Sequence, residues 1–228
     1  MERRDGSFFG RRKGKTLRPR QREALENVLP ALIVDVTEPA PEHLAALFPV
    51  PVGAIDLEIG FGGGEHLLHE ARSSPATGFI GIEPFQNGLA KAATTIERDD
   101  IRNVRLFDRD ATILLDWLPA ESLSRIDLLY PDPWPKMRHW KRRFVTSRNL
   151  ERIERCLKPG GLFRFASDVD AYVKWTLREV ARNDRLIWTA DCLDDCRQPW
   201  PGWPGTRYEA KAVAEERQTA YLVFRRSA

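Results

Sequence analysis

At 228 residues, with 42% hydrophobic and 30% charged side chains, the chain is long enough to bury the core of one α/β domain. It lacks any run of about 18 apolar residues, so no membrane span is expected. The net charge of +3 conceals an asymmetry: residues 1–22 hold nine Lys/Arg against Glu2 and Asp5, or +7, which leaves −4 on the remainder.

A basic arm on a mildly acidic body is a common layout among nucleic-acid binders, with a disordered solubilising tail as the alternative. The first residues, Met1-Glu2-Arg3-Arg4-Asp5-Gly6, are followed by no apolar segment and do not read as a secretory signal. Cys156, Cys192 and Cys196 are odd in number and form no CxxC pair, which fits free thiols in a reducing cytoplasm.

In chain order, the Gly/Arg/Lys-rich arm has no apolar period and runs to about residue 20. Segment 21–36 ends in Ala31-Leu32-Ile33-Val34 before Pro39 and Pro41 break it. The expected organisation is a basic, partly disordered extension over 1–40 and a single catalytic domain over 41–228. Strand-like runs rich in β-branched and aromatic residues follow at 54–59, 78–82, 103–107, 126–130, 162–166, 185–189 and 219–225. Helical spacing lies between them: Leu89, Ala92, Ala93 and Ile96; then Leu150, Ile153 and Leu157, with Glu154 interrupting the stripe; then Val173, Leu177 and Val180. Lys158-Pro159-Gly160-Gly161 reads as a stop and a turn. Strands alternating with helices predict a doubly wound, mostly parallel sheet. The last two runs show no clear helix between them, so one of those strands is expected to be antiparallel.

Glu58-Ile59-Gly60-Phe61-Gly62-Gly63-Gly64 joins the first strand to a helix, in outline a nucleotide-binding turn. A dinucleotide fingerprint needs a third glycine at position 65, where this chain has Glu65. A carboxylate at a helix N-terminus repels a pyrophosphate. S-adenosylmethionine has no phosphate and carries a sulfonium and an ammonium, so an acidic turn favours it over NAD. Glu83, about twenty residues past the turn, is placed to accept ribose hydroxyls, and Asp110, after the third strand, to meet an adenine edge. The alternative for Glu83 is a surface acid at a strand end, and for Asp110 a plain loop acid like Asp108.

Pro131-Asp132-Pro133-Trp134-Pro135-Lys136 follows the fourth strand. Its prolines enforce an extended backbone and delete three N–H donors, which restricts Asp132 just beyond a strand's C-terminal end, where open α/β sheets bind ligands. Trp134 offers a stacking face worth about 1–3 kcal/mol to a base. The run Lys136 to Arg143, with Arg148 beyond, interleaves cations with Trp134 and Trp140, as phosphate and base contact require. A proline-stiffened loop with a solvated helix face is the bland alternative. Together these pieces imply an enzyme that modifies a base in a nucleic acid. His66 and His69 do not form HExxH, and Cys192 and Cys196 with Asp191, Asp194 and Asp195 lack a third soft ligand, so no metal site is expected.

The pattern resembles the bacterial tRNA (guanine-N7)-methyltransferase family. The pieces that carry the resemblance are Leu57-Glu58-Ile59-Gly60-Phe61-Gly62, Gly81-Ile82-Glu83, Asp110-Ala111, Pro131 to Lys136, Arg138-His139-x-Lys141-Arg142-Arg143, Ser167-Asp168 and Thr206-Arg207-Tyr208-Glu209. The Pro-Asp-Pro-Trp motif with its basic run is the specific part; the glycine turn alone is not. The resemblance implies a seven-stranded class I methyltransferase fold and methylation of guanosine 46 in the tRNA variable loop. It further implies that Glu58, Gly60, Gly62, Glu83, Asp110 and Asp132 bind S-adenosylmethionine, with Asp132 also catalytic. Lys136, Asp168, Thr206, Arg207, Tyr208 and Glu209 would bind the target nucleoside. Arg138, His139, Trp140, Lys141, Arg142 and Arg143 would lie on RNA. The partner is then tRNA, with no membrane and no metal, and the protein a monomer or homodimer. Family members often carry an aromatic residue where this chain has Val169, so one stacking wall is missing. Rival functions are an amino-methyltransferase of adenine or cytosine, a non-catalytic tRNA-binding protein and an NAD oxidoreductase. The first of these uses an Asp/Asn-Pro-Pro-aromatic order, which Asp132-Pro133-Trp134-Pro135 does not match.

Overall fold

The computed structural model describes residues 9–192 and 194–228. Among these residues seven strands form, close to the expected runs: β1 (Ala54–Ile59), β2 (Thr77–Ile82), β3 (Val104–Phe107), β4 (Leu123–Leu129), β5 (Leu157–Ser167), β6 (Leu186–Trp188) and β7 (Ala220–Arg226). They make one sheet in the order β3-β2-β1-β4-β5-β7-β6. The described residues divide into two compact units, 9–119 and 120–228. No helix among the described residues is long and apolar enough to cross a membrane.

In the first unit, β1 and β2 pair in parallel, as do β2 and β3. Helices α1 (Pro19–Glu23) and α2 (Leu29–Leu32) flank a π-helical turn (Ala24–Val28), and α3 (Glu65–Ser73), α4 (Gln86–Arg98) and α5 (Ala111–Trp117) follow. The expected stripe Leu89, Ala92, Ala93 and Ile96 lies on α4, packed with Leu67, Leu68 and Ala71 of α3 and with Phe79, Val104 and Leu106 of the strands. Residues 19–32 join the same core through Ala24 and Leu32, with Leu25, Val28 and Leu29 against it. Leu25, Val28, Leu29 and Leu32 recur at i, i+3, i+4 and i+7, a helical period that the surrounding charges obscure. The Val34 N–H then donates to the Leu106 carbonyl (2.9 Å) beside the Ile33–Leu106 bridge, covering the open edge of β3.

In the second unit, β4 and β5 are parallel, and β7 runs antiparallel to both β5 and β6. The expected reversal is therefore β7. A helix does precede it, α8 (Arg207–Ala214), but it buries only Ala212, too little to leave an apolar stripe in the sequence. Helices α6 (Ser147–Cys156) and α7 (Asp170–Val180) complete the unit. The stop expected at Lys158–Gly161 does end α6, but these residues belong to β5. Residues 158–160 are exposed, Gly160 has φ +78°, and the β4–β5 ladder shifts register between Leu123 and Arg125. The Pro-Gly-Gly signal thus marks an irregularity at a strand's start. Phe163 and Phe224 stack at 5.8 Å, and Tyr172 meets Phe165 edge-on at 5.3 Å, in the buried layer between sheet and helix.

Candidate active site

The glycine turn follows β1. Gly60 (φ +76°) and Gly62 (φ +59°) adopt left-handed backbone that other residues rarely enter. A Cβ on Gly60 would meet nothing within 4 Å, so the main chain there is open to close approach. The Gly62 N–H donates to Glu83 Oε2 (2.7 Å) and the Phe85 N–H to Glu83 Oε1 (2.9 Å), which ties the acid at the end of β2 to the turn. Glu58 Oε2 lies 2.8 Å from His66 Nδ1 in the first turn of α3, both side chains buried. Asp110 caps α5, its Oδ1 accepting from the Thr112 N–H (2.9 Å) and hydroxyl (2.6 Å). Glu58, Glu83 and Asp110 are only 5%, 8% and 1% exposed, so three carboxylates are held out of water in this unit. Glu65, whose charge argues against a pyrophosphate, instead pairs with Lys91 at the surface. The acidic character of the turn therefore rests on the buried Glu58 and Glu83.

Gly88 is a further residue of this region that motif reasoning misses. A Cβ there would fall 2.1 Å from the Gly62 carbonyl oxygen and 3.1 Å from Glu83 Cγ. Its signal is a glycine inside the first turn of a helix, where propensity disfavours it. The neighbouring Asn87 holds part of the basic arm: its Oδ1 accepts from the Gly14 N–H (2.9 Å) and its Nδ2 donates to the Lys15 carbonyl (2.7 Å). The Gln86 N–H donates to the Arg12 carbonyl (2.9 Å), and Gly14 sits where a Cβ would strike the Phe85 ring.

The segment around Asp132 is built differently. Tyr130 (φ +47°) and Trp134 (φ +43°) are both left-handed without being glycine. Each such residue costs about 1–3 kcal/mol and persists only where its surroundings over-determine it. Tyr130 donates its N–H to the Ala166 carbonyl (2.8 Å) and stacks on Tyr208 with centroids 6.4 Å apart. Burial pushes the Tyr130 phenol up to about 12, so it stays protonated. Trp134 has Arg142 over its ring at 4.8 Å and His139 edge-on at 5.8 Å. Arg143 Nε donates to the Pro133 carbonyl (2.9 Å). Asp132 reaches the surface, yet enough protein surrounds its carboxyl to raise it above the ordinary carboxylate range.

The basic run does not present one uniform face. It forms a 3₁₀ turn, Met137–Arg142, with Lys136, Met137, Arg138 and Lys141 exposed. Trp140 donates its Nε1–H to the Pro135 carbonyl (3.3 Å) and meets Trp175 edge-on at 5.7 Å. Partial desolvation and the cations of Arg142, Arg138, Lys136 and Lys141 lower the His139 imidazolium, favouring a neutral ring. Arg143 is fully buried.

Asp168, just past β5, is engaged by Arg217 Nε (2.7 Å). Thr206 and Glu209 lock to each other at the start of α8: Thr206 Oγ1 accepts from the Glu209 N–H (3.1 Å), and Glu209 Oε2 accepts from the Thr206 N–H (3.3 Å). Glu209 also accepts from Trp203 Nε1–H (2.7 Å) and from the Tyr221 hydroxyl. Burial, and then that carboxylate, raise the Tyr221 phenol strongly. Arg207 and Tyr208 point to solvent, bonded to each other at 3.1 Å. Among the sequence-derived residues, the second unit thus unites Tyr208 with the strand end before Asp132, Thr206 with Glu209, and Arg143 with Pro133. Arg217, Tyr221 and Tyr130 enter these contacts although no motif marked them.

A family described as "Putative methyltransferase" matches residues 53–222. A tRNA (guanine-N(7)-)-methyltransferase of Rhizobium meliloti is 61% identical over 97% of this chain and 95% of its own length. One from Agrobacterium fabrum is 58% identical over 96% and 94%. Among solved structures, the 16S rRNA methyltransferase KamB superposes with a TM-score of 0.56 at 14% identity, covering 78% of this chain and 89% of its own, a likeness of fold alone. With about three quarters of the chain inside one family's match and 58–61% identity to curated relatives over nearly its full length, the chain belongs to the tRNA (guanine-N(7)-)-methyltransferase family.

Proposed function

We propose that this protein transfers a methyl group from S-adenosylmethionine to N7 of a guanine in tRNA, at guanosine 46 of the variable loop, working in the cytoplasm as a monomer or homodimer. The observation that carries this conclusion is the near full-length identity to relatives bearing that name. The donor set fits the cofactor: Glu58 and Glu83 are buried carboxylates at an open left-handed turn, with Asp110 buried in the same unit, a set suited to a cation and hostile to a pyrophosphate. Glu58, Gly60, Gly62, Glu83 and Asp110 would hold it. When bound, S-adenosylmethionine supplies an electrophilic methyl group on a sulfonium.

The chain's own residues have a limited chemical task. Guanine N7 carries a lone pair and no proton, so no strong general base is needed, and positioning supplies most of the rate. Asp132 and Asp168 accept hydrogen bonds from the guanine N1–H and exocyclic amine, a donor pair that adenine lacks on that edge. Ionised Asp132 also stabilises the positive charge that develops on the purine. Lys136 and residues 206–209 meet the nucleoside, with Arg207 and Tyr208 the solvent-facing members of that set. The exposed cations Arg138 and Lys141 meet RNA phosphate.

The test is label transfer from methyl-labelled S-adenosylmethionine to an unmodified tRNA transcript, beside one in which guanosine 46 is replaced. Label in 7-methylguanosine from the first transcript alone is the expected result. Equal labelling of both eliminates the target position, label in an adenine or cytosine product assigns an amino-methyltransferase, and binding without label leaves a non-catalytic tRNA binder.

A further inference from the structure

The last arginine of the basic run faces inward, although its motif groups it with the RNA contacts. Arg143 is 0% exposed. Its guanidinium carbon lies 4.8 Å from the Trp140 ring centre, 4.9 Å from that of Tyr172 and 5.3 Å from that of Trp175, an aromatic cage that offsets part of the cost of burying a cation. The 3₁₀ turn ends at Arg142, and the extended backbone of Arg143 (φ −58°, ψ +141°) follows it.

Two of its nitrogens are spent on two different segments. Nε donates to the Pro133 carbonyl at 2.9 Å, directly after Asp132 and directly before the strained Trp134. Nη1 donates to the Ala171 carbonyl at 3.2 Å, in the first turn of α7 and three residues beyond Asp168. The prolines remove the N–H donors that would otherwise anchor the Asp132 segment, so its carbonyls are the handles available to the rest of the unit. A guanidinium's planar fork can fix two carbonyls at once; an ammonium is a single point.

We propose that Arg143 is a positioning residue that sets the placement of Asp132 relative to Asp168, and does not bind RNA phosphate. The proposal rests on the assignment of these two carboxylates to guanine. Through it the basic run has two functions: Arg138 and Lys141 address the nucleic acid, and Arg143 braces the reacting edge from inside.

The charge-conserving variant Arg143→Lys separates the two roles. A phosphate contact tolerates lysine. A two-carbonyl brace does not, and a displacement of about 1 Å at a reacting group lowers kcat by about 10²-fold. The expected result is that loss in kcat, with KM for tRNA and the salt dependence of tRNA binding as in the wild type. Wild-type kcat in this variant overturns the proposal. So does a raised KM with a salt slope shallower by about 0.7–0.9, the signature of one lost phosphate contact. Should the variant not fold, the wild-type protein still decides. Under phenylglyoxal, with modification sites read by mass spectrometry, Arg138 reacts and is protected by tRNA, while Arg143 stays unmodified with or without tRNA. Reaction of Arg143 in the free protein with protection by tRNA overturns the brace. A wild-type protein that transfers no methyl to tRNA overturns the functional assignment and the brace's catalytic purpose together, whereas loss of the Arg143 effect on an active wild type removes only the brace.

Discussion

The glycine turn of the first unit and the Asp132 segment of the second both follow a β-strand and both carry an acid, yet they are stabilised in opposite ways. In the turn, glycine removes the steric cost of left-handed backbone, and main-chain N–H groups of Gly62 and Phe85 are gathered by Glu83. In the Asp132 segment, left-handed backbone is imposed on Tyr130 and Trp134, and the hold comes from ring contacts and from an arginine on a carbonyl. The first design leaves main chain open to a ligand. The second keeps a side chain at one place at a cost in strain. Damage to the turn should therefore appear as lost cofactor affinity, and damage to the Asp132 segment as lost turnover.

The largest effect that can break this contrast is expected from Asp132→Asn. Methyl transfer should fall by about 10³-fold in single-turnover assays, with cofactor affinity by calorimetry largely intact. Turnover near wild type would remove Asp132 from the chemistry. The same residue gives a pH signature. Its carboxyl is raised by desolvation, so activity that needs the ionised form falls below that raised value, about tenfold per pH unit. Stability has the opposite sign. The raised folded-state value favours the protonated form, a contribution fully present below the unfolded pKa and lost as pH rises through the folded one. Asp132→Asn should abolish the acid limb and leave Tm less dependent on pH across that window.

Gly88→Leu sharpens the other side of the comparison. A side chain there meets the Gly62 carbonyl at a distance no contact allows, so the turn must shift. S-adenosylmethionine affinity should drop by about 10–10²-fold, the equivalent of one charge-assisted hydrogen bond, with kcat at saturating cofactor nearly unchanged. A fall in kcat alone would erase the division of labour. Arg138→Ala should act on neither term: the tRNA salt slope should become shallower by about 0.7–0.9, with a several-fold rise in KM. The smallest effect belongs to Lys91→Ala. Its pairing with Glu65 is a surface ion pair, worth about 0–1 kcal/mol, so thermal unfolding should move by no more than a few degrees. A large loss of cofactor affinity in that variant would return Glu65 to the site.

Much of this was legible in residues alone because buried strands and motif spacing are local signals. The runs at 54–59 and 126–130 map onto β1 and β4, and the stripe from Leu89 to Ile96 onto α4. The helical stretch over 19–32 escaped because its stripe of Leu25, Val28, Leu29 and Leu32 starts beside Arg20, Arg22, Glu23 and Glu26 and is crossed by Pro30, a residue that helix interiors disfavour. α8 escaped because it buries a single alanine. In the candidate site, residue types were readable and side-chain direction was not. Nothing in the order Arg142-Arg143 says that one covers a half-buried indole while its neighbour enters a cage, because direction depends on partners such as Tyr172 and Trp175, about thirty residues away. The same holds for Glu209, whose carboxylate is committed to Trp203 and Tyr221 by contacts that its motif does not contain.

The Asn87 amide has a practical corollary for anyone who engineers this protein. It accepts from the Gly14 N–H and donates to the Lys15 carbonyl, one residue before the Gly88 contact with the turn. Trimming the leading fifteen residues for convenience in purification would strip a donor and an acceptor from the head of that helix. A shortened enzyme would then report a weakened cofactor constant that belongs to the truncation and not to the natural catalyst.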